Sequence, residues 1–271
     1  MTGMPVPAPS ESARAVVTGA SSGIGRELAR ALAGRGHSVI LVARRGEILE
    51  DLAAELEHVH GVQAEVRAID LSNPEPVEVL AAELAGREIS ILCNNAGIAT
   101  FGPVAELDAD YERAQVRLNV NAVHDLTLAV LPQMVRRGSG GILMVGSVAG
   151  NMPIPNNATY AATKAFVNTF SESLRGEVGG RGVHVTLLAP GPVRTATPDP
   201  ADESIVDRMV PDFLWHSSAQ VAEMSLDALA HNKMRVVPGT LSKAMSVAGG
   251  YSPRAIVAPI VGTFYRKLGD G

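Results

Sequence analysis

Short runs rich in valine and isoleucine alternate with longer amphipathic stretches along most of this 271-residue chain, and that alternation admits few folds. A strand that returns parallel to its predecessor needs a crossover long enough to hold a helix. Repeated strand–helix–strand units therefore predict an α/β architecture, a doubly wound, mostly parallel sheet with helices on both faces. Strands are expected over 13–18, 38–43, 64–69, 89–93, 141–146 and 183–189, with an edge strand over 234–237. Helices are expected over 23–34, 47–59, 74–85, 110–137, 158–178 and 219–231. In the helix over 158–178, Phe166, Phe170, Leu174 and Val178 recur every four residues as a buried stripe. No linker separates two cores, so one domain is expected over 13–239. A flexible tail over 1–12 precedes it, a substrate loop falls at about 195–215, and a helical extension over 240–271 follows.

The first predicted strand runs into Thr18-Gly19-Ala20-Ser21-Ser22-Gly23-Ile24-Gly25, and a helix follows at once. A glycine-rich turn in this setting lets the backbone approach a pyrophosphate, while the helix N-terminus offers amide donors and a favourable dipole. Gly19, Ser21, Ser22, Gly23, Ile24 and Gly25 are the candidate residues of a dinucleotide site. The second strand ends on Ala43 and is followed by Arg44 and Arg45, where an acid would favour NAD(H) by bonding the adenosine ribose. With no acid and an arginine fork suited to a 2′-phosphate, this end points to NADP(H), with NAD(H) the alternative. Two solvated arginines opening a loop are the bland reading of the same pair.

Tyr160 and Lys164 lie one helical turn apart, and Ser147 stands thirteen residues before the tyrosine. Positions i and i+4 share a helix face, so a phenol and an ammonium can enter one pocket. A neighbouring cation lowers a phenol's pKa from about 10 and makes proton exchange with an alcohol or carbonyl feasible.

With these motifs the chain resembles a short-chain dehydrogenase/reductase of NADP type. The matching residues run from the Thr18 turn through Asp70-Leu71, Asn94-Asn95-Ala96-Gly97, Asn119, Ser147 and the tyrosine–lysine pair to Pro190-Gly191-Pro192-Val193-Arg194-Thr195. The resemblance implies a Rossmann-type fold and interconversion of a ketone and a secondary alcohol by hydride transfer. It implies a catalytic tetrad in which Tyr160 is general acid and base, Lys164 lowers its pKa and bonds the nicotinamide ribose, and Ser147 bonds the substrate oxygen. Asn119, which stands at the family's usual offset before Pro132, would hold a water. Asp70 and Leu71 would meet the adenine, Asn95, Ala96 and Gly97 would support the cofactor, and Pro190, Gly191, Val193 and Thr195 would border the nicotinamide. A homodimer or homotetramer is expected. Two alternatives use the same fold: an epimerase or dehydratase, or an NADP-binding sensor or scaffold without turnover.

A net charge of −5 with scattered arginines argues against a nucleic-acid partner. Cys93, the only cysteine, reads as a small buried hydrophobe, and a reducing, cytoplasmic setting is expected. His58 and His60 diverge on a helix, so no metal site is expected. The C-terminal part also resembles DltE-like short-chain dehydrogenases, through a helix after Ser217-Ser218, then Val236-Val237-Pro238-Gly239 and Pro253-Arg254. A helix from Ser252 carries Ile256, Ile260, Phe264 and Leu268 as an apolar stripe. That stripe packs on the body or a partner subunit, or else makes peripheral contact with a membrane.

Overall fold

In the computed structural model, which describes residues 7–191, 193–194, 216–239, 243 and 246, the expected alternation folds into one seven-stranded parallel sheet. Its strands are β1 (Arg14–Thr18), β2 (Val39–Ala43), β3 (Ala64–Ala68), β4 (Ile89–Asn94), β5 (Gly140–Val145), β6 (Val183–Leu188) and, at one edge, β9 (Arg235–Val236). They are ordered 3-2-1-4-5-6-9. A two-stranded parallel pair, β7 (Val193–Arg194) and β8 (His216–Ser217), lies apart from the sheet. The crossovers are α1 (Gly23–Gly34), α2 (Gly46–His60), α3 (Pro74–Ala85), α4 (Ala109–Val116), α5 (Val123–Arg137), α6 (Ala158–Val178) and α7 (Ser218–Ala230).

Alternation along each strand divides the core into two layers. Ala15, Val17, Val39, Leu41, Ile91 and Cys93 face α1, α2 and α7, where they meet Leu28, Leu32, Leu49, Leu56 and Leu229. Val16, Ile40, Val42 and Leu92 face α3, α5 and α6, among Leu80, Leu84, Leu126, Val130, Val167 and Leu174. Each such side chain contributes roughly 1.5–3 kcal/mol by leaving water, so the two stripes dominate what holds the layers together. Helix ends are marked by local chemistry. Asp108 caps α4 through Tyr111 N at 2.7 Å. Ser217 and Gln220 form a reciprocal capping box on α7. Gly61 and Gly138 close α2 and α5 in the left-handed conformation.

Two expectations change. The helix expected over 110–137 is three segments, α4 and α5 joined by a π-helical turn over Arg117–Ala122. No glycine or proline stands in that turn, and Val116, Leu118, Val120 and Ala122 alternate with polar residues instead of keeping the helical repeat. Phe166 and Phe170 are only partly buried. They stack on each other at 5.5 Å, and His124 of α5 meets them edge-on and tilted, while Val167, Ser171, Leu174 and Val178 form the buried stripe. Cys93 is fully buried, and desolvation pushes its thiol up to about 12. No helix among the described residues is long and apolar enough to cross a membrane. The loop at 195–215, with Thr195, and the apolar helix from Ser252, with Pro253-Arg254, lie outside the described residues.

Candidate active site

The order in which strands are added to the sheet reverses between β1 and β4, and the crevice at such a switch point is where open parallel sheets bind ligands. The glycine turn opens there. Gly19 and Gly23 have φ values of 68° and 53°, which glycine adopts without steric cost. A Cβ on Gly25 would stand 2.2 Å from Gly19 O and 2.4 Å from Asn95 Nδ2, so only glycine fits. Asn95 ties the turn down: its Nδ2 donates to Thr18 O at 2.9 Å. Thr18 Oγ1 accepts from both Asn95 N and Ala96 N. Ser22, at the N-cap of α1, makes no side-chain cap, and the helix's first turn holds no acid. Its leading amides therefore face the crevice as an anion-binding donor set that suits a pyrophosphate.

Both Arg44 and Arg45 are exposed beside the turn, Arg45 Nη2 donates to Ser21 Oγ at 3.0 Å, and Ala43 ends β2 without a carboxylate. Of the two arginines, Arg45 is thus the one brought to the glycine turn. Asp70 Oδ1 accepts from Ser72 N and Ser72 Oγ, and Leu71 is buried next to it. Pro190 O accepts from Val148 N at 3.1 Å, which joins the Pro190-Gly191 segment to the loop carrying Ser147.

Ser147 follows β5 and caps the 3₁₀ turn Val148–Asn151, its Oγ accepting from Ala149 N at 3.1 Å. Tyr160 and Lys164 project from the first turns of α6. Burial pushes the Tyr160 phenol above its usual range, and a hydrogen bond with Ser147 acts in the opposite direction. The expectation that Lys164 lowers the phenol's pKa is therefore not met in the protein alone, because desolvation dominates. Lys164 is itself buried, and desolvation brings its ammonium down to about 8. Its Nζ donates to Val145 O at 2.9 Å and lies 5.7 Å from the centre of the Tyr160 ring. Asn119, in the π turn, is 1% exposed and Asn121 is exposed, as their spacing predicted. Asn119 brackets Ile98, donating to its carbonyl at 2.9 Å and accepting from its amide at 3.0 Å, and donates to Thr163 Oγ1. A Cβ on Gly97 would meet Asn119 Oδ1 at 3.2 Å and Lys164 Nζ at 3.3 Å, so Gly97 borders both.

Several polar residues at the site escape sequence reasoning. Glu112, buried on α4, accepts from the hydroxyls of Thr100 and Thr159, and Asn157 Nδ2 donates to Thr100 O. These bonds fasten the start of α6 to the loop after β4. Asn168 lies one turn beyond Lys164 and bonds the main chain of Ser147. The signal was present in its i+4 spacing from Lys164, which continues the series from Tyr160. No group of three or more His, Cys, Asp or Glu suited to a metal occurs among the described residues.

A family model described as short chain dehydrogenase matches residues 13–205. The chain is 35% identical over 236 residues to sulfoacetaldehyde reductase 2 of Chromohalobacter salexigens, covering 82% of this chain and 93% of that protein. It is 37% identical over 181 residues to very-long-chain 3-oxoacyl-CoA reductase-A of Danio rerio, covering 65% of this chain. Across the very-long-chain reductases matched first, the chain spans only 54–62% of their length. A short-chain dehydrogenase from Sphingobium yanoikuyae in complex with NADPH superposes with a TM-score of 0.78 at 30% identity, covering 90% of this chain and 94% of that one. With the family match spanning most of the sheet, from β1 to beyond β7, and the glycine turn, serine, tyrosine and lysine converging on one crevice, the chain belongs to the short-chain dehydrogenase family.

Proposed function

We propose that the protein is an NADP(H)-dependent oxidoreductase interconverting a ketone and a secondary alcohol. The observation that carries this reading is the Lys164 ammonium, buried on α6 and 5.7 Å from the centre of the Tyr160 ring, with Ser147 on the adjoining turn. A bound nicotinamide dinucleotide supplies or accepts the hydride. The chain's own residues do the rest. Ser147 Oγ accepts from Ala149 N, and its own proton, which favours the Tyr160 oxygen in the protein alone, would turn to a substrate oxygen and stabilise charge developing there. Tyr160, held protonated at neutral pH by burial, gives its proton to that oxygen in reduction and takes one back in oxidation. Lys164, about tenfold more protonated than not at pH 7, keeps a positive charge beside the phenol. Asn119 holds the Gly97–Ile98 backbone at the bottom of the crevice. The turn from Gly19 to Gly25 would hold the pyrophosphate, Arg45 and Arg44 the 2′-phosphate, and Asp70 and Leu71 the adenine.

The relatives act on carbonyls of different size, and nothing in the crevice described here selects among them. The reading is tested by following NADPH oxidation with 3-oxoacyl thioesters, short aldehydes and bulky ketones. Absence of turnover by the wild type on all three classes sinks it.

Cofactor choice follows from the end of β2. A charge-assisted contact from an arginine at the turn is worth about 1.5–3 kcal/mol, which is roughly 10–150-fold in favour of NADPH over NADH. Replacing Ala43 by Asp together with Arg45→Ala should reverse the preference in dissociation constants measured by cofactor fluorescence. Equal wild-type affinity for the two cofactors would overturn the assignment.

Assembly is the remaining element of the reading. Tyr111, Val116 and Leu128 are exposed on the α4–α5 side, next to the stacked His124, Phe166 and Phe170. An apolar face along two helices is what a symmetric helix-pair interface covers. Sedimentation at micromolar concentration is expected to give a dimer or tetramer, and Leu128→Glu to give monomer. A wild type that sediments only as monomer contradicts this.

A further inference from the structure

Ser147 sits on a loop that lies flat against α6, and the contact allows no side chain between them. A Cβ on Gly146 would fall 2.0 Å from Asn168 Oδ1, and one on Gly150 would fall 2.5 Å from the Lys164 carbonyl carbon. At the centre of the contact Asn168, 5% exposed, spans the serine's own peptide groups. Its Oδ1 accepts from Ser147 N at 3.4 Å, and its Nδ2 donates to Ser147 O at 2.9 Å. The same Nδ2 donates to Asn151 Oδ1 at 3.1 Å, at the far end of the 3₁₀ turn. Asn151 is held in turn from the sheet edge, because Arg235 Nη2 on β9 donates to Asn151 Oδ1 at 2.9 Å. Arg235 is anchored by Glu172 of α6 at 3.4 Å, and Asn151 Nδ2 donates to Ser246 Oγ at 3.2 Å.

We propose that Asn168, Asn151 and Arg235 form a positioning clamp that sets the aim of Ser147, so that the edge strand of the sheet controls the geometry of the reaction. None of the three touches the reacting atoms. Their effect runs through the serine backbone, which carries the hydroxyl that the reading above places on the substrate oxygen. Without Asn168, a buried amide and carbonyl lose their partner, and each such orphaned group is costly enough to drive the loop off the helix. A hydroxyl displaced by a fraction of an ångström to one ångström costs up to about 100-fold in rate while leaving binding of the distant cofactor alone.

The test uses the full chain and two readouts, the first of which does not depend on knowing the substrate. Amide hydrogen exchange of the peptide covering 146–151 is expected to rise in Asn168→Ala, with exchange in α6 unchanged. With a ketone that the wild type turns over, kcat should fall by about 10–100-fold while KM for NADPH stays within about twofold. Arg235→Met, at the sheet edge, should move both readouts in the same direction by less, and it serves if Asn168→Ala does not fold. Asn151→Ala combined with Asn168→Ala should cost little more than Asn168→Ala alone, because both act through one clamp. Unchanged exchange at 146–151 in the folded variants overturns the proposal, as does faster exchange with unchanged kcat. If no ketone is turned over by the wild type, that counts against the enzymatic reading, and the exchange result still decides whether the clamp exists.

Discussion

Tyr160→Phe should reduce turnover by about 10²–10⁴-fold, the usual worth of a positioned general acid, with little change in the dissociation constant for NADPH. The ring is retained, so the packing at the start of α6 survives and only the proton donor and its bond to Ser147 are lost. The direction of the pKa shift adds a second signature. Burial holds the phenol above its usual range, so the tyrosine is protonated throughout the neutral range and reduction should be nearly flat there. Oxidation needs the phenolate and should therefore accelerate with rising pH. Steady-state rates in both directions across pH 6–10 check both features. Near-wild-type turnover by the phenylalanine variant on a verified substrate would remove Tyr160 from its proposed role.

The second large effect concerns stability. Desolvation brings Lys164 from 10.5 to about 8, a difference worth about 3 kcal/mol between charged and neutral forms. The sign follows from proton counting. Below pH 8 the lysine is charged in both folded and unfolded chains, and the folded protein carries the full cost of burying that charge. Between about 8 and 10.5 the unfolded chain binds more protons than the folded one, so folding stability rises with pH across that window. Lys164→Met lacks this dependence. Relative to that variant, the wild type should gain about 3 kcal/mol between pH 7 and pH 10.5 in denaturant titrations. Parallel stability curves for the two proteins would show that the lysine is not buried as described. The variant should also be catalytically crippled, as expected where a strained site is retained for function.

Most of the sheet could be read from the chain because each strand is a short apolar run bounded by turn residues. α3 at Pro74–Ala85 and α6 at Ala158–Val178 have the boundaries their patterns predicted. Asn119, Ser147, Tyr160 and Lys164 converge because helical periodicity and a strand end are simple geometric rules. Other features lie beyond such rules. Across the π turn at Arg117–Ala122 the apolar residues fall at every second position, which breaks the helical repeat without saying what form the break takes. Phe166 and Phe170 look like core by spacing, yet tertiary packing leaves them half-buried against His124. Arg45 rather than Arg44 reaches Ser21, a choice between neighbours that only the loop backbone makes. The upward shift of Tyr160 depends on how much water the crevice excludes, which no local pattern records.

The knot between Thr18 and Asn95 bears on how the protein comes to life during synthesis. Every glycine of the fingerprint has been made by residue 25, but the partner that holds Thr18 and Gly19 in place lies seventy-seven residues further along from Thr18. A nascent chain emerging from its N-terminus therefore carries the whole fingerprint without an assembled cradle until β4 has docked beside β1. Cofactor capture therefore waits for β4, and dinucleotide can stabilise the protein only after β1 and β4 have paired, not guide its first steps.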